Sequence, residues 1–373
     1  MPIYKMNGKK DGLQKYRVRI NYVTQSGESK QIDRVAYGLE EAKDLERKLQ
    51  KEIKNFSPSE KLTVQALYDE YIKVKKHEIR ETSLDKTVRI LKLHVLGFLG
   101  NYNLDKLTVS LLQKWKMNIS EQNLSVVTKQ NIYGEFRAML NYAVRSEYLQ
   151  SNPLLKVGNF KDVYFKTEQE KIHYYTKEEF IKYITYVKNT VVTSDDWNYY
   201  TFFNIAYFTG MRKGEINALK WSDIDGNTIN VRRSIAQKLK GGDRETPPKN
   251  KSSYRSLQIP QPLMIVLNEQ KERQKQLKNF SDDFRVCGGE SCLRDSSLDN
   301  KNRQYAEGAG LHHIRIHDFR HSHASLLANE GINIQEVARR LGHSDVNMTW
   351  NTYSHLYPRE EERALKILNE IKF

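Results

Sequence analysis

Between Tyr16 and Val23 apolar and polar side chains alternate, Tyr16-Arg17-Val18-Arg19-Ile20-Asn21-Tyr22-Val23. A period of two marks a half-buried strand with its cationic and polar side chains on one face. Ile3 to Met6 is a shorter extended run that breaks at Asn7-Gly8, a pair that favours a tight turn because both residues accept positive φ at little cost. Ser26-Gly27 turns the chain again, and Gln31 to Tyr37 returns. From Leu39 to Ile53 the period lengthens to that of a charged helix. Residues 1–57 are therefore expected to form a small three-stranded β-sheet plus a helix, ending in a linker at Asn55-Phe56-Ser57-Pro58-Ser59.

From Leu62 to about Tyr148 the pattern is helical throughout. Leu67, Tyr71 and Val74 make one stripe, Val88, Leu91, Val95 and Leu99 a second, and Phe136, Leu140 and Val144 a third. Gly100-Asn101 and Asn123-Leu124-Ser125 mark breaks, and Asn152-Pro153 stops the last helix. This predicts a helical bundle over residues 60–153. After the polar stretch 156–173 a third domain is expected over residues 172–373. It opens on Thr176-Lys177-Glu178-Glu179, a capping box in which hydroxyl and carboxylate satisfy free amides at a helix start. Phe180 to Val187 continues that helix, and Phe202 to Phe208 is a buried apolar helix that delivers Arg212 at a glycine-marked bend. Thr228 to Arg233 and Tyr254 to Ile259 alternate as two strands around a Lys/Gly/Pro-rich excursion. A flexible loop is expected to lead into Leu311 to Ile316, with helices resuming from about His317. The expected fold class is α+β multidomain: a small three-stranded sheet plus helix, a helical bundle, and a mostly helical domain with a small antiparallel sheet.

Composition sharpens this. A chain of 373 residues suits two or three domains. No run approaches the roughly 20 apolar residues a membrane span requires. The start, Met1-Pro2-Ile3-Tyr4-Lys5, has no apolar signal region, and two cysteines make no disulfide framework. A bacterial cytoplasmic protein, associated with the nucleoid, is expected. The net charge of +15 asks for a polyanion, with nucleic acid the default because each neutralised phosphate releases counterions; a merely basic soluble enzyme is the alternative. Arg17, Arg19 and Arg34 on the N-terminal sheet, and Lys86, Arg89, Lys92, Lys129 and Arg137 on the helices, are candidate phosphate contacts; the bland reading is an ordinary solvated surface.

The chemistry concentrates near the C-terminus. Arg212 lies in Thr209-Gly210-Met211-Arg212-Lys213-Gly214-Glu215, and His317 precedes Arg320 by three positions in His317-Asp318-Phe319-Arg320-His321. His343 follows in Leu341-Gly342-His343-Ser344, and Tyr353, ten positions later, in Asn351-Thr352-Tyr353-Ser354-His355. Two guanidiniums and two imidazoles can surround a phosphodiester whose pentavalent transition state gains negative charge. Arginine suits that task because its planar fork binds two oxygens at once and stays charged. His317 and Arg320, one helical turn apart, can aim at one point; His317 either donates to a phosphate oxygen or takes the proton from Tyr353. The phenol, with a free pKa near 10, needs a base or a cationic pocket to attack. Among 22 tyrosines, spacing selects Tyr353 over Tyr357, which precedes Pro358.

This constellation resembles the active site of the tyrosine recombinases, the phage and transposon integrase family. The resemblance implies metal- and ATP-independent cleavage and rejoining of double-stranded DNA through a 3′-phosphotyrosyl intermediate, with no cofactor. In the family a lysine on a turn between two strands protonates the leaving 5′-oxygen; in Pro247-Pro248-Lys249-Asn250-Lys251-Ser252-Ser253 that is Lys249, or else Lys251. Glu215 would orient the site without donating a proton, or simply cap a helix. The resemblance further implies arm-type DNA binding by residues 1–57, core binding by 60–153 and catalysis by 172–373, in a homotetramer on its attachment sites. An excisionase and a host DNA-bending protein are implied as partners. The apolar face Ala364, Leu365, Ile367 and Leu368 would pack into a neighbouring protomer or fold back on its own domain.

Two rivals keep the scaffold: an Xer-like resolvase with the same chemistry, against which the β-rich N-terminal domain argues, and a non-catalytic DNA-binding regulator, against which the complete set of catalytic residue types argues. Cys287 and Cys292, with His312 and His313 downstream, invite a zinc reading, but their spacing exceeds the usual knuckle and no metal site is expected.

Overall fold

Local sequence sets the first elements of the chain in a computed structural model that describes residues 3–23, 29–54, 62–161, 173–237, 242–248, 251–358, 361, 365 and 368–371. The chain divides into two units, Met1–Phe165 and Lys166–Phe373. In the first, β1 (Ile3–Lys10), β2 (Leu13–Val23) and β3 (Ser29–Tyr37) form an antiparallel sheet in that order. The first turn is not at Asn7-Gly8. It is at Asp11-Gly12, where both residues have positive φ, 48° and 79°, between the paired Lys10 and Leu13. Such a two-residue turn matches the twist of the strands it joins. Asn7-Gly8 lies inside β1, where the register slips between Lys5 and Lys9 and Gly8 takes φ 117°. Gln14 Nε2 donates to the carbonyls of Met6 and Gly8 there. Two nearby pairs offer the same turn chemistry, and the register that pairs Ile3 with Val18 and Lys10 with Leu13 uses the second.

Helix α1 (Leu39–Lys54) covers one face of this sheet through Val18, Ala36, Ala42 and Leu49. Directly paired residues share a face. Arg17 stands opposite Val35, and Arg19 opposite Asp33, with which it forms an exposed ion pair at 3.0 Å. Arg34 stands opposite Val18, so the three candidate arginines do not share a face. The expected linker at residues 55–59 and the Ser26-Gly27 turn lie outside the described residues.

The rest of the unit is helical: α2 (Val64–Glu78), α3 (Glu81–Leu91) running through a π-helical turn into α4 (Gly97–Leu99), α5 (Val109–Glu121), α6 (Val126–Arg145) and the single turn α7 (Leu154–Val157). Thr63, Thr108 and Ser125 cap α2, α5 and α6. Leu67, Tyr71, Leu91, Val95, Leu99, Trp115, Phe136 and Leu140 are buried in its core. The stripe on α2 ends early: its buried residues stop at Tyr71, and Val74 is 36% exposed. Val88 and Val144 are half-buried. The last long helix ends at Arg145, ahead of the left-handed Glu147 at φ 60° and short of the expected stop at Asn152-Pro153. Asn152, hydrogen-bonded to Arg137, Asn141 and Leu154, instead leads into α7. Lys116 Nζ donates to the carbonyls of Val157, Gly158 and Asn159 and ties down the chain leaving the bundle.

In the second unit the expected capping box is present: Glu179 N–H donates to the Thr176 hydroxyl, and Thr176 N–H to the Glu179 carboxylate, starting α8 (Lys177–Asn189). Helix α9 (Ser194–Thr209) is buried on nearly every side. After α10 (Lys213–Ala218), the strands β4 (Ile224–Asp225), β5 (Thr228–Val231) and β8 (Arg255–Gln258) form one antiparallel sheet, and β6 (Ser234–Ala236) pairs with β7 (Arg244–Thr246) in the excursion. Two helices occupy stretches where none was expected before His317, α11 (Gln261–Lys275) and α12 (Asp295–Gly308). Part of each buried face is written in amides, which conceals the apolar period. Gln270 donates to Val286 O, and Gln274 accepts from Trp221 Nε1. Asn302, fully buried, donates to Ile314 O and accepts from Tyr183. The unit ends with α13 (Asp318–Asn329), α14 (Ile334–Leu341) and α15 (Val346–Tyr353). In the tail, Leu365 and Leu368 are exposed; Ala364 and Ile367 lie outside the described residues. No described helix is long and apolar enough to cross a membrane.

Candidate active site

Helix α9 ends at Gly210 in the left-handed conformation, φ 65°. A Cβ there would come within 2.7 Å of the His323 ring and 3.0 Å of Leu341, so only glycine fits. The bend presents Arg212 at the start of α10. The Arg212 N–H and Nη1 donate to the two carboxylate oxygens of Glu215, each at 3.0 Å, and Nη2 donates to Gly342 O at 3.4 Å. Glu215 also receives Nη2 of Arg255 at 2.9 Å, and both of these side chains are 3% exposed. Burial opposes the charge on Glu215, but Arg255 and then Arg212 hold its carboxyl below the ordinary 4.5. One acid thus anchors two arginines from different elements.

Arg255 had no place in the sequence reading, although a signal existed: it stands in phase with the buried Leu257 on an alternating strand. It also donates to the carbonyls of Arg340 and Ser253. A Cβ on Gly342 would come within 3.0 Å of its Nη1, so this close approach needs glycine too.

Arg320, on α13, donates Nη1 to Gly210 O at 2.9 Å. Its Nη2 is buried with no hydrogen-bond partner among the described residues. Burial, then the nearby charges of Arg212 and Arg255, push this guanidinium down to about 9, which leaves it cationic at neutral pH. His317 begins the same helix, and its pKa falls to about 4 through burial, His321 and Arg320. His343 follows the left-handed Gly342 that ends α14. Its Nδ1 lies 2.8 Å from the Thr349 hydroxyl, and burial with Arg320 and Arg212 brings its pKa to about 4. Both imidazoles are therefore neutral donors or acceptors at neutral pH.

Tyr353 closes α15 and is 1% exposed. Burial raises its phenol pKa, against a smaller lowering by Arg320. Its hydroxyl lies 2.6 Å from Nδ1 of His321, a residue quoted in the motif but given no role there. His321 falls one turn after His317 and next to Arg320, and that spacing was its only sequence signal. His323, two positions on, is structural: Nδ1 donates to Tyr207 O and Nε2 accepts from Arg340.

Arg212, Glu215, His317, Arg320, His343 and Tyr353 are thus linked by direct bonds or by mutual electrostatic influence within this unit. Lys249 lies outside the described residues. Lys251 is exposed in the 3₁₀ turn before β8. Of the other candidates, Lys86, Arg89, Lys92 and Arg137 are exposed, whereas Lys129 donates to Ser120 O. Among the described residues no group of three or more His, Cys, Asp or Glu side chains is placed to hold a metal. Cys287 is buried, and Cys292 Sγ lies 3.4 Å from Asp243.

The phage integrase family pattern matches residues 174–360, and an N-terminal SAM-like domain of phage integrases matches residues 63–119. The ICEBs1 integrase of Bacillus subtilis is 28% identical over 356 residues, 93% of this chain and 94% of that protein. A XerC-like tyrosine recombinase of Caldanaerobacter subterraneus is 27% identical, over 74% of this chain and 76% of its own. The Tn1549 transposon integrase in complex with transposon right end DNA shares the fold, with a TM-score of 0.67 at 20% identity, over 83% of this chain and all of that one. The site and these likenesses agree: the chain belongs to the phage integrase family and is a tyrosine recombinase, an enzyme of DNA cleavage and rejoining.

Proposed function

We propose that this site-specific recombinase holds the scissile phosphate with Arg212, Arg320 and His343 and attacks it with Tyr353. The Nη2 of Arg320 carries this reading, a buried cationic donor with no partner among the described residues. A guanidinium fork preorganised in this way binds the transition state, with its added charge, more tightly than the ground state. The Tyr353 oxygen forms a bond to phosphorus, and the bond to the 5′-oxygen breaks. The phenolic proton passes to a base, and a second proton reaches the leaving oxygen from a lysine of the 249–251 segment. The 3′-phosphotyrosyl link retains the energy of the broken bond, so a 5′-hydroxyl can reverse the step without ATP.

Within this reading residues 1–57 contact arm-type sites, residues 60–153 grip the core duplex and residues 172–373 cut it. Solved relatives include a lambda integrase tetramer bound to a Holliday junction, which supports a homotetramer here as well. The match to the ICEBs1 integrase over 93% of the chain supports integration and excision of a mobile element over chromosome-dimer resolution. An excisionase and a host DNA-bending protein are the accessory partners this function expects, with the chromosome its place of work.

The test is a trapping assay on a nicked duplex bearing the attachment region, without magnesium or ATP. A covalent adduct mapping to Tyr353, absent in Tyr353→Phe while DNA binding persists, is the expected result. Binding with no adduct on linear or supercoiled DNA would instead identify a regulator.

A further inference from the structure

Two histidines of one helix stand at this corner of the site, and the structure distinguishes them. His321 Nδ1 lies 2.6 Å from the Tyr353 hydroxyl, whereas no described hydrogen bond joins His317 to Tyr353. The His317 ring meets His321 edge-on, with centroids 5.2 Å apart, and His321 in turn faces Tyr353 at 5.8 Å. The order along this corner of the site is therefore His317, His321, Tyr353. His317 is the N-cap residue of α13 and His321 lies one turn later, next to Arg320, so a phosphate on Arg320 has His317 and His321 available for different tasks.

We propose that His321 is a further catalytic residue, the base that takes the Tyr353 proton, and that His317 serves the phosphate. The proposal rests on Tyr353 being the nucleophile. With its own proton on Nε2, the neutral His321 ring accepts the phenolic hydrogen bond at Nδ1. As the Tyr353 oxygen bonds to phosphorus, the O–H pair stays with oxygen and the proton moves to Nδ1, giving an imidazolium. On rejoining, the same proton returns to the phenolic oxygen as the 5′-hydroxyl displaces it.

The surroundings suit both halves of the cycle. Burial, Arg320 and Arg315 favour the neutral ring in the resting site, and Asp318 stabilises the imidazolium once it forms. Among the described residues, His317 and Tyr353 also face the ring. A buried phenol whose own ionisation is opposed by burial needs such an acceptor within hydrogen-bond reach.

The experiment measures single-turnover adduct formation on the nicked duplex by the full chain and its His321→Ala, His321→Asn and Tyr353→Phe forms. General-base catalysis typically contributes about a hundredfold or more. His321→Ala is expected to slow the Tyr353 adduct by at least that factor at unchanged DNA affinity, and added imidazole to restore at least a tenth of the native rate. His321→Asn, whose amide can hold the hydroxyl without accepting the proton for good, is expected to remain slow. A native rate in either variant overturns the proposal, and so does failure of imidazole to help a DNA-binding alanine variant. If the alanine form fails to bind, the asparagine form decides: slow cleavage with native binding supports the base, and native cleavage removes it. An adduct that persists in Tyr353→Phe defeats the reading of Tyr353 itself, whereas a Tyr353 adduct indifferent to His321 defeats only this proposal.

Discussion

The N-terminal sheet and the catalytic corner both pair arginine with an acid, and the two pairs have little else in common. Arg19 and Asp33 meet at 3.0 Å across neighbouring strands with both side chains well exposed. Water screens such a pair, so it contributes little to stability and can open toward another anion. Arg255 and Glu215 meet at 2.9 Å with almost no exposure, and Glu215 holds Arg212 as well. There the carboxylate cannot be removed without leaving charge stranded in a low-dielectric interior. A basic protein thus uses arginine in two physical regimes, as adjustable surface charge and as a fixed frame. Only the second can aim a donor to within a fraction of an ångström.

The contrast can be broken from the buried end first. Glu215→Gln leaves Arg255 and Arg212 without their shared counter-charge and should destabilise the fold by about 3–5 kcal/mol, the usual cost of breaking a buried pair from one side. Denaturant titration of the two proteins gives the number. The same group sets an acid limit. Its folded pKa lies below the ordinary 4.5, so its contribution is complete above that value and is lost as pH falls through the folded pKa. The Gln form should lack that part of the acid destabilisation in melting curves taken below pH 4.5.

Arg320→Ala probes the buried donor beside the frame, held by the Gly210 carbonyl. The adduct rate should fall by about a hundredfold to a thousandfold, the loss expected for one preorganised donor to the transition state, with the melting temperature reporting any separate effect on folding. At the exposed end, Asp33→Asn should leave the melting temperature where it is. Binding to DNA should be unchanged or tighter at low salt, with the difference shrinking as salt rises. A cooperative loss of stability in Asp33→Asn would erase the distinction between the two regions.

The elements that could be read from sequence were those whose apolar period or capping chemistry stood undisturbed. Thr176 and Glu179 announced a helix start, and Leu91, Val95 and Leu99 a buried stripe, because each obeys a local rule. Helices α11 and α12 escaped because Gln270, Gln274 and Asn302 occupy core positions and satisfy their amides only through partners far along the chain. The first turn, expected at Asn7-Gly8, forms at Asp11-Gly12, because turn propensity alone cannot choose a register. In the site, motif wording pointed to the arginines, the two spaced histidines and one tyrosine. It did not point to Arg255, whose role depends on strand phase and a partner 40 residues away, or to His321, whose role depends on where Tyr353 returns in space.

The two left-handed glycines have a consequence in time. Gly210, ending one helix, offers its carbonyl to Arg320, and Gly342, ending another, offers its own to Arg212. Each arginine is thus moored to the stretch of chain that bears the other half of the site, across sequence separations of 110 and 130 residues. Chains emerge from the ribosome from the N-terminus onward. A nascent polypeptide that stops short of Gly342 can already hold Arg212 on Glu215, but it lacks the bond from Arg212 Nη2 to the Gly342 carbonyl and the residues from His343 to Tyr353. The Arg212 and Arg320 sides of the site are therefore tied together only after the chain has passed Gly342.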